Sequence, residues 1–459
     1  MNNNKIIHLS RKSRLLVYIY IIFMTITFFF EQGVIPSSMN EIKQNYSLND
    51  VEYGLVNSSH NIGKIIGSLF FAFLFNCIKR KLLISINISA TIISLFIMTY
   101  IKDKNVLYIC RYISGYAHVF YIVYHPIWCD QYGIKQYKTY LLTLIQFSFK
   151  LGFFISQIIA NIIGWKNAFL LEGVLGIIYL IIFIFIPDIY FSDKVFSTES
   201  EADKDKLTIF KDISISDSNT KKQSSTISSK ICSNVKLLLN VTYMMFVLGR
   251  AFIYFTLTAL SSWQHNYAEE VFEIHSKAER IKYFSMIFSV PSFIGMLLGG
   301  IVGNKVSQYG YVVLSFAVLM MNTLSCIGCL CIAFTQSFYA FCVSEFVFIL
   351  FQTATMPNLT RIIISTVDNV NKPSANSIAS FFSNTLGHSP APYFYGVIKH
   401  HYPNLKRLPM QLSCGISLVS EIFFVLGFVC KVITSRFENK DNQYNKLENK
   451  ANDVEMKNI

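Results

Sequence analysis

The sequence predicts an all-α membrane protein whose twelve transmembrane helices form two pseudo-symmetric six-helix bundles. Three observations carry that expectation. The 459 residues are 53% hydrophobic and only 15% charged, with a mean hydropathy of +0.42, well to the apolar side of an ordinary soluble domain. Apolar runs of about 20 residues, each able to cross a hydrocarbon core of roughly 30 Å, can be marked off along almost the whole chain. The polar punctuation between those runs repeats after about half the chain.

Composition also excludes several classes. A soluble enzyme is disfavoured, and the net charge of +13 must sit in loops and tails because runs this apolar cannot carry it. Such charge orients a membrane protein and argues against a nucleic-acid partner. The ten cysteines are scattered, and Cys326, Cys329, Cys331 and Cys342 fall inside apolar runs with no His or Cys at zinc spacing. They read as small buried hydrophobes, so no metal is expected. A phosphate-binding Gly-x-x-x-x-Gly-Lys-Ser/Thr loop, a hydrolase nucleophile elbow and a His-Glu-x-x-His helix are all missing from the sequence. Neither a cofactor nor an enzymatic activity is expected.

Taken in order, the first six runs begin near Leu15, Tyr53, Leu82, Val106, Tyr140 and Asn167, and the second six near Val241, Tyr283, Tyr311, Phe338, Ser374 and Met410. The first run follows Arg11, Lys12 and Arg14 and is too long for the 7 to 15 residues or so of a signal peptide's apolar region, so it is expected to stay as a helix. Between the two sets, Ser192 to Asn234 is rich in Ser, Lys and Asp and too polar to fold alone. The expected organisation is an N-terminus at 1–14, a bundle at 15–191, a linker at 192–234, a second bundle at 235–434 and a tail at 435–459. Basic residues gather on one side, at Arg11, Lys12 and Arg14, at Lys79, Arg80 and Lys81, at Lys135 and Lys138, and at Lys431 and Arg436. The positive-inside rule then puts both termini and the linker in the cytoplasm and the acidic-rich loop from Glu269 to Arg280 outside.

Three echoes mark the duplication. Ala72-x-x-x-Asn76-x-x-x-Arg80-Lys81 after the second run is answered by Gly300-x-x-x-Asn304-Lys305 after the eighth. Pro126-x-x-x-Asp130 in the fourth run is answered by Pro357-x-x-x-Arg361 in the tenth, and Leu151-Gly152 in the fifth by Leu386-Gly387 in the eleventh. Duplicated bundles of this kind carry a substrate site near the bilayer midplane, between halves that rock for alternating access. A ring-lined channel suits them less well.

The pattern resembles the major facilitator superfamily. That family's Gly-x-x-x-Asp-Arg-x-Gly-Arg-Lys signature between spans two and three is met by Ala72, Asn76, Lys79, Arg80 and Lys81, with Asn in place of Asp and Lys in place of Gly. In the family the Asp helps to latch the outward-facing state, so the resemblance assigns gating to Asn76, Arg80 and Asn304 and removes a charge from both latches. Gly164-Trp165-Lys166-x-x-Phe169 matches the family's joint between spans five and six. Within the superfamily the chain resembles Spinster-like lipid transporters through Arg111-x-x-x-Gly115, Pro126 and Asp130, and through Asn234-x-Lys236-x-x-x-Asn240. Leu386-Gly387-x-x-Pro390-x-Pro392-x-x-x-Gly396 also resembles the eleventh span of organic-anion-transporting polypeptides.

A charge at mid-membrane costs roughly 2.5 to 3.5 kcal/mol on insertion scales, so each needs a partner, water or a function. Glu31 in span one and Arg111 in span four lie at similar depth. They read either as a charge pair or as two interfacial residues reaching separately for water. Spinster-like proteins carry an acid in span one, and an Arg with a second acid seven positions later in span four, a trio that couples substrate to protons. Arg111 matches that Arg, while Thr27 and His118 stand at the two acidic positions. Glu31 is one helical turn from Thr27 and can restore the acid, or His118 can act as the titrating switch.

Arg250 lies about ten residues, or roughly 15 Å, inside span seven. It reads as the holder of an anionic headgroup or as a structural ion pair with Glu345 in span ten. Lys150 lies at similar depth, and His388 completes the substrate-side set. Lys64, His60, His125, Glu172 and Glu421 read mainly as residues that snorkel or find a carbonyl. Gly295, Gly299 and Gly303 follow the small-x-x-x-small spacing of a packing face.

The expected function is secondary active transport of a small amphipathic or anionic solute, a lysolipid or an organic anion, with a coupling proton. The expected partners are that substrate and membrane lipid, around a monomer. The rival reading is a transporter-like sensor or scaffold, favoured by the two lost aspartates, or a carrier of a neutral metabolite.

Overall fold

The computed structural model describes residues 6–133, 138–191, 207–210, 237–366 and 372–457. Helices α1 (Arg11–Phe28) and α2 (Phe30–Ser37) form the first crossing, broken at Phe29, and α3 (Met39–Tyr46) follows it. The first bundle continues with α4 (Asp50–Cys77), α5 (Arg80–Tyr100), α6 (Lys104–Tyr132), α7 (Lys138–Ile163) and α8 (Trp165–Phe185). The second bundle comprises α9 (Val241–Val271), α10 (Lys277–Val306), α11 (Tyr311–Phe334) and α12 (Phe338–Ser365). Its eleventh crossing is built from α13 (Lys372–Phe382), a π-helical turn at Ser383–His388 and α14 (Pro390–His401), and its twelfth is α15 (Leu408–Lys457).

Ten helices among the described residues are long and apolar enough to cross a membrane. The other two crossings, α4 and the interrupted α13–α14 run, carry more polar residues. Helix starts fall where the capping residues lie. Asn49 and Glu52 close a reciprocal capping box at α4, and Asp103, Asn240 and Ser276 accept first-turn N–H groups of α6, α9 and α10. Gly164, at φ +80°, makes the turn from α7 into α8 that its matching motif predicts. The all-α expectation has one small exception: β1 (Ile6–Leu9) pairs antiparallel with β2 (Leu207–Phe210), so a piece of the polar stretch between the halves returns to the N-terminus.

The duplication is visible in the packing. In the first half α4 lies on α6, α5 on α8, and α2 on α7; in the second, α10 lies on α12, α11 on α15, and α9 on the π turn and α14. Gly152 of α7 is pressed against the Ile26 carbonyl of α1, and its sequence echo Gly387 is pressed against the Ala251 carbonyl of α9. Gly295 and Gly299 bring α10 onto the backbone of α12, as Gly63 and Gly67 bring α4 onto α6. The halves meet along α4 with α14 and along α7 with α10.

Candidate substrate site

A cavity of about 160 Å³ opens where the halves meet. The break at Phe29 starts α2 one residue before Glu31 and turns that carboxylate inward, where it is fully buried. Arg111 Nη1 lies 3.1 Å from Glu31 Oε1, so the charge-pair reading holds over that of two separate interfacial residues. Ser114 Oγ donates to the same oxygen at 2.9 Å, and His60 Nδ1 lies 3.3 Å from it. His118 Nε2 stands 3.8 Å away, its ring stacked on Phe29 and its Nδ1 facing the Gln32 amide at 3.2 Å. Glu31, His60 and His118 offer ligand atoms within 4.8 Å of one another. The cation actually facing the carboxylate is the Arg111 guanidinium.

Lys150 and His388 line the cavity, with Lys150 Nζ 4.4 Å from the Phe288 ring centroid. His388 closes the π turn; its Nδ1 is 2.6 Å from Thr258 Oγ1, and its backbone carbonyl accepts from the Asn61 amide of the opposite half at 2.9 Å. Arg250 stands behind this pair, over the Tyr254 ring, which packs tilted against His388 with ring centroids 4.5 Å apart. Among the described residues Arg250 has no ion pair with Glu345. That carboxylate is fully buried within α12, away from the cavity, with both oxygens unpartnered. The sequence reading placed Glu345 on the substrate side, and depth alone misled it: two residues at similar depth on helices nine and twelve need not share a face.

The cavity also takes residues that the sequence reading set aside. Asn57, His60, Asn61 and Lys64 line it from α4, and Thr258, Ser261 and Ser262 from α9. On α4 the spacing i, i+3, i+4, i+7 is one helical face, so a polar stripe in an otherwise apolar helix was the signal. Phe29, Phe149, Phe153 and Phe288 supply the apolar wall.

The cavity is closed on the face of the membrane opposite the termini. Trp263 stacks on Tyr395 at 4.8 Å, takes Tyr53 on its edge and donates its indole N–H to the Pro392 carbonyl at 3.1 Å. Beyond this aromatic plug, charges tie half to half: Lys399 lies 3.4 Å from Asp50, and Lys277 is 2.5 Å from Glu41, while Glu270 holds Lys399 at 2.7 Å within the second half. Asn40 donates to Glu269 at 2.8 Å. On the termini face, Asn304 accepts from Arg361 at 2.7 Å, joining α10 to α12 within the second half. Arg80 lies over the Tyr124 ring, while the side chains of Asn76 and Asp130 lie outside the described residues.

The family model of the Major Facilitator Superfamily matches residues 21–392. The chain belongs to that superfamily. It is therefore an integral multi-pass membrane protein of a transporter family. A bacterial homologue of the human lysosomal transporter Spinster, in an inward-facing and unoccupied conformation, superposes with a TM-score of 0.70 at 13% identity, covering 92% of this chain and 98% of that one. The same homologue in an inward-facing and occupied conformation gives 0.64 at 14%, covering 93% and 98%. The nucleoside transporter NupG gives 0.67 at 12%, covering 90% and 100%. At these identities the likeness shows the fold. No curated protein matches the chain.

Proposed function

We propose that this superfamily member is a secondary active transporter that moves an amphipathic or anionic organic solute by alternating access, with both termini in the cytoplasm. The observation that carries the reading is the cavity between the halves, with an aromatic plug and an inter-half ionic lock on the side opposite the termini and no inter-half ion pair on the termini side among the described residues. With the termini inside, that geometry is the inward-facing state of a rocker. Lys64, Lys150 and His388 face the solute, and Arg250 supports them. Glu31 carries the coupling proton: when protonated it releases Arg111, and His60 and His118 are the groups that feel the change. The resemblance to Spinster-like transporters, with its acid and arginine in spans one and four, supports this coupling role.

The neutral Asn304 still bonds Arg361 across α10 and α12. A latch that keeps its hydrogen bond after losing its charge favours a working transporter over a sensor. The test is uptake of labelled lysolipids, organic anions and neutral metabolites into proteoliposomes, with and without a proton gradient. Solute-specific uptake that a gradient drives, and that Glu31→Gln uncouples, is the expected result. Selective binding without flux in either direction would establish the sensor reading instead. If Glu31→Gln and His118→Ala leave uptake and its pH dependence untouched, the coupling assignment fails.

A further inference from the structure

The ionisable groups lining the cavity are His60, Lys64, Arg111, Lys150 and His388, and no carboxylate is among the lining residues. Arg111 is balanced by Glu31 at 3.1 Å. Lys64 and Lys150 have no hydrogen bond or ion pair to their ammonium groups among the described residues; Lys150 has only the Phe288 ring. His388 lies within electrostatic reach of both lysines and of Arg250, whose Nε and Nη1 are buried without a partner. The cavity thus keeps two lysines near its centre, neither ammonium with a hydrogen bond or ion pair among the described residues, and Arg250 behind its wall. A charge in this setting is costly unless something pairs with it, and the one acid within electrostatic reach of Lys64, Glu31, is already paired with Arg111 at 3.1 Å.

The volume narrows the ligand further. About 160 Å³ is close to the roughly 150 Å³ of a cavity that takes one benzene-sized molecule. A compact solute fills that space, whereas a long acyl chain would have to extend beyond it. The lysines come from the first half, while the second half presents the neutral hydroxyls Thr258, Ser261 and Ser262. One half therefore reads charge and the other reads hydrogen-bonding groups.

Resting on the transporter reading above and deepening it, we propose that the solute is a compact organic dianion, its two negative charges paired with Lys64 and Lys150 and its polar frame held by the hydroxyls of α9. A dicarboxylate and a phosphate monoester share this chemistry, and a lysolipid does not. Pairing both charges also explains how two ammonium groups are tolerated at mid-membrane while the halves exchange.

Equilibrium binding to the purified full-length protein tests the proposal, with succinate, its monoanionic counterpart butyrate, glycerol phosphate and a lysophosphatidylcholine as probes at fixed ionic strength. Succinate or glycerol phosphate should bind at least about tenfold tighter than butyrate, the two arms distinguishing the carboxylate from the phosphate source. Lys64→Gln and Lys150→Gln should each collapse that ratio toward one, while Lys64→Arg and Lys150→Arg preserve it and show that the variants fold. Equal binding of succinate, glycerol phosphate and butyrate, saturation by the lysolipid alone, or a preference that survives both Gln substitutions overturns it. Binding is read without flux. Loss of transport with the dianion preference intact therefore counts against the transporter reading alone, and transport of a neutral solute without dianion binding counts against this proposal alone.

Discussion

Lys399 Nζ of α14 lies 3.4 Å from Asp50 Oδ1 at the start of α4, so the tip of the second half is held to the first by a charge. Glu270 and Lys43 extend the contact at 2.7 Å each, and Gly396 lets α14 press on the Asp50 carbonyl. An alternating-access cycle has to break this contact. Partly exposed pairs contribute up to about 1 kcal/mol, which corresponds to roughly a fivefold change in the ratio of closed to open states. Lys399→Gln should shift the population by about that factor toward opening on this face. The readout is the labelling rate of a cysteine placed at Ser262 from the side opposite the termini. An unchanged rate would show that the aromatic plug alone sets closure.

The same contact predicts an indifference to pH. Burial pushes the Asp50 carboxyl up, but Lys399 and Lys43 outweigh it and hold the carboxyl below its ordinary value. A carboxyl depressed in the closed state favours closure while it is ionised, and that contribution is lost only as pH falls through the lowered value. Between about pH 5.5 and 7.5, well above the usual Asp range near 3.9, the lock should stay shut. Spin labels at the exposed Lys102 and Asn404 report the distance across this face. A lengthening on going from pH 7.5 to 5.5 would place a proton-sensitive group in the lock itself.

The fold was legible because a bilayer leaves few choices: runs of apolar residues must become helices, and their punctuation is carried by the few residues that interrupt them. The Leu-Gly echoes at Gly152 and Gly387 were sequence signals of one geometry, a helix pressed on the backbone of the first helix of its own half. Depth was legible too: it set Glu31 level with Arg111 and left open whether they pair, which the 3.1 Å contact decides. Azimuth was not. Hydropathy and depth do not say which way a residue faces around its helix, so Glu345 was placed beside Arg250, and Lys64 and His60 were set aside as snorkelling residues. The i, i+3, i+4, i+7 spacing from Asn57 to Lys64 held that missing angle, and the break at Phe29 that aims Glu31 left no comparable mark.

Packing between α10 and α12 gives a prediction with its own control. A Cβ on Gly299 would meet the Ala354 backbone, whereas one on its neighbour Gly300 would meet nothing within 4 Å. Backbone cannot give way as a side chain can, so Gly299→Ala should cost about 1 to 3 kcal/mol. Gly300→Ala should be neutral or stabilise by up to about 1 kcal/mol through helix propensity. Thermal unfolding in one detergent compares the two. Equal effects would mean that the α10–α12 seam is looser than this close approach implies.

The Glu31–Arg111 pair makes the sharpest demand on the candidate site, because each is the other's closest opposite charge in a buried setting. Glu31 is fully buried and Arg111 is 2% exposed, and Arg111 is the only arginine or lysine within ion-pair distance of that carboxylate among the described residues. Removing one member leaves the other uncompensated in a low dielectric, a loss of about 3 to 5 kcal/mol. Glu31→Gln and Arg111→Gln should therefore each lower stability strongly, while the double variant loses much less than the sum of the two. Glu172 supplies the contrast: it is equally buried and within electrostatic reach of the same pair, but both its oxygens lack a hydrogen-bond partner and it makes no ion pair among the described residues, so Glu172→Gln should be tolerated. Thermal midpoints of the four variants decide the matter. Additive losses at Glu31 and Arg111 would mean that the two act independently, and Glu31 would then be free to exchange a proton without releasing Arg111, which removes the physical link between protonation and movement of α6.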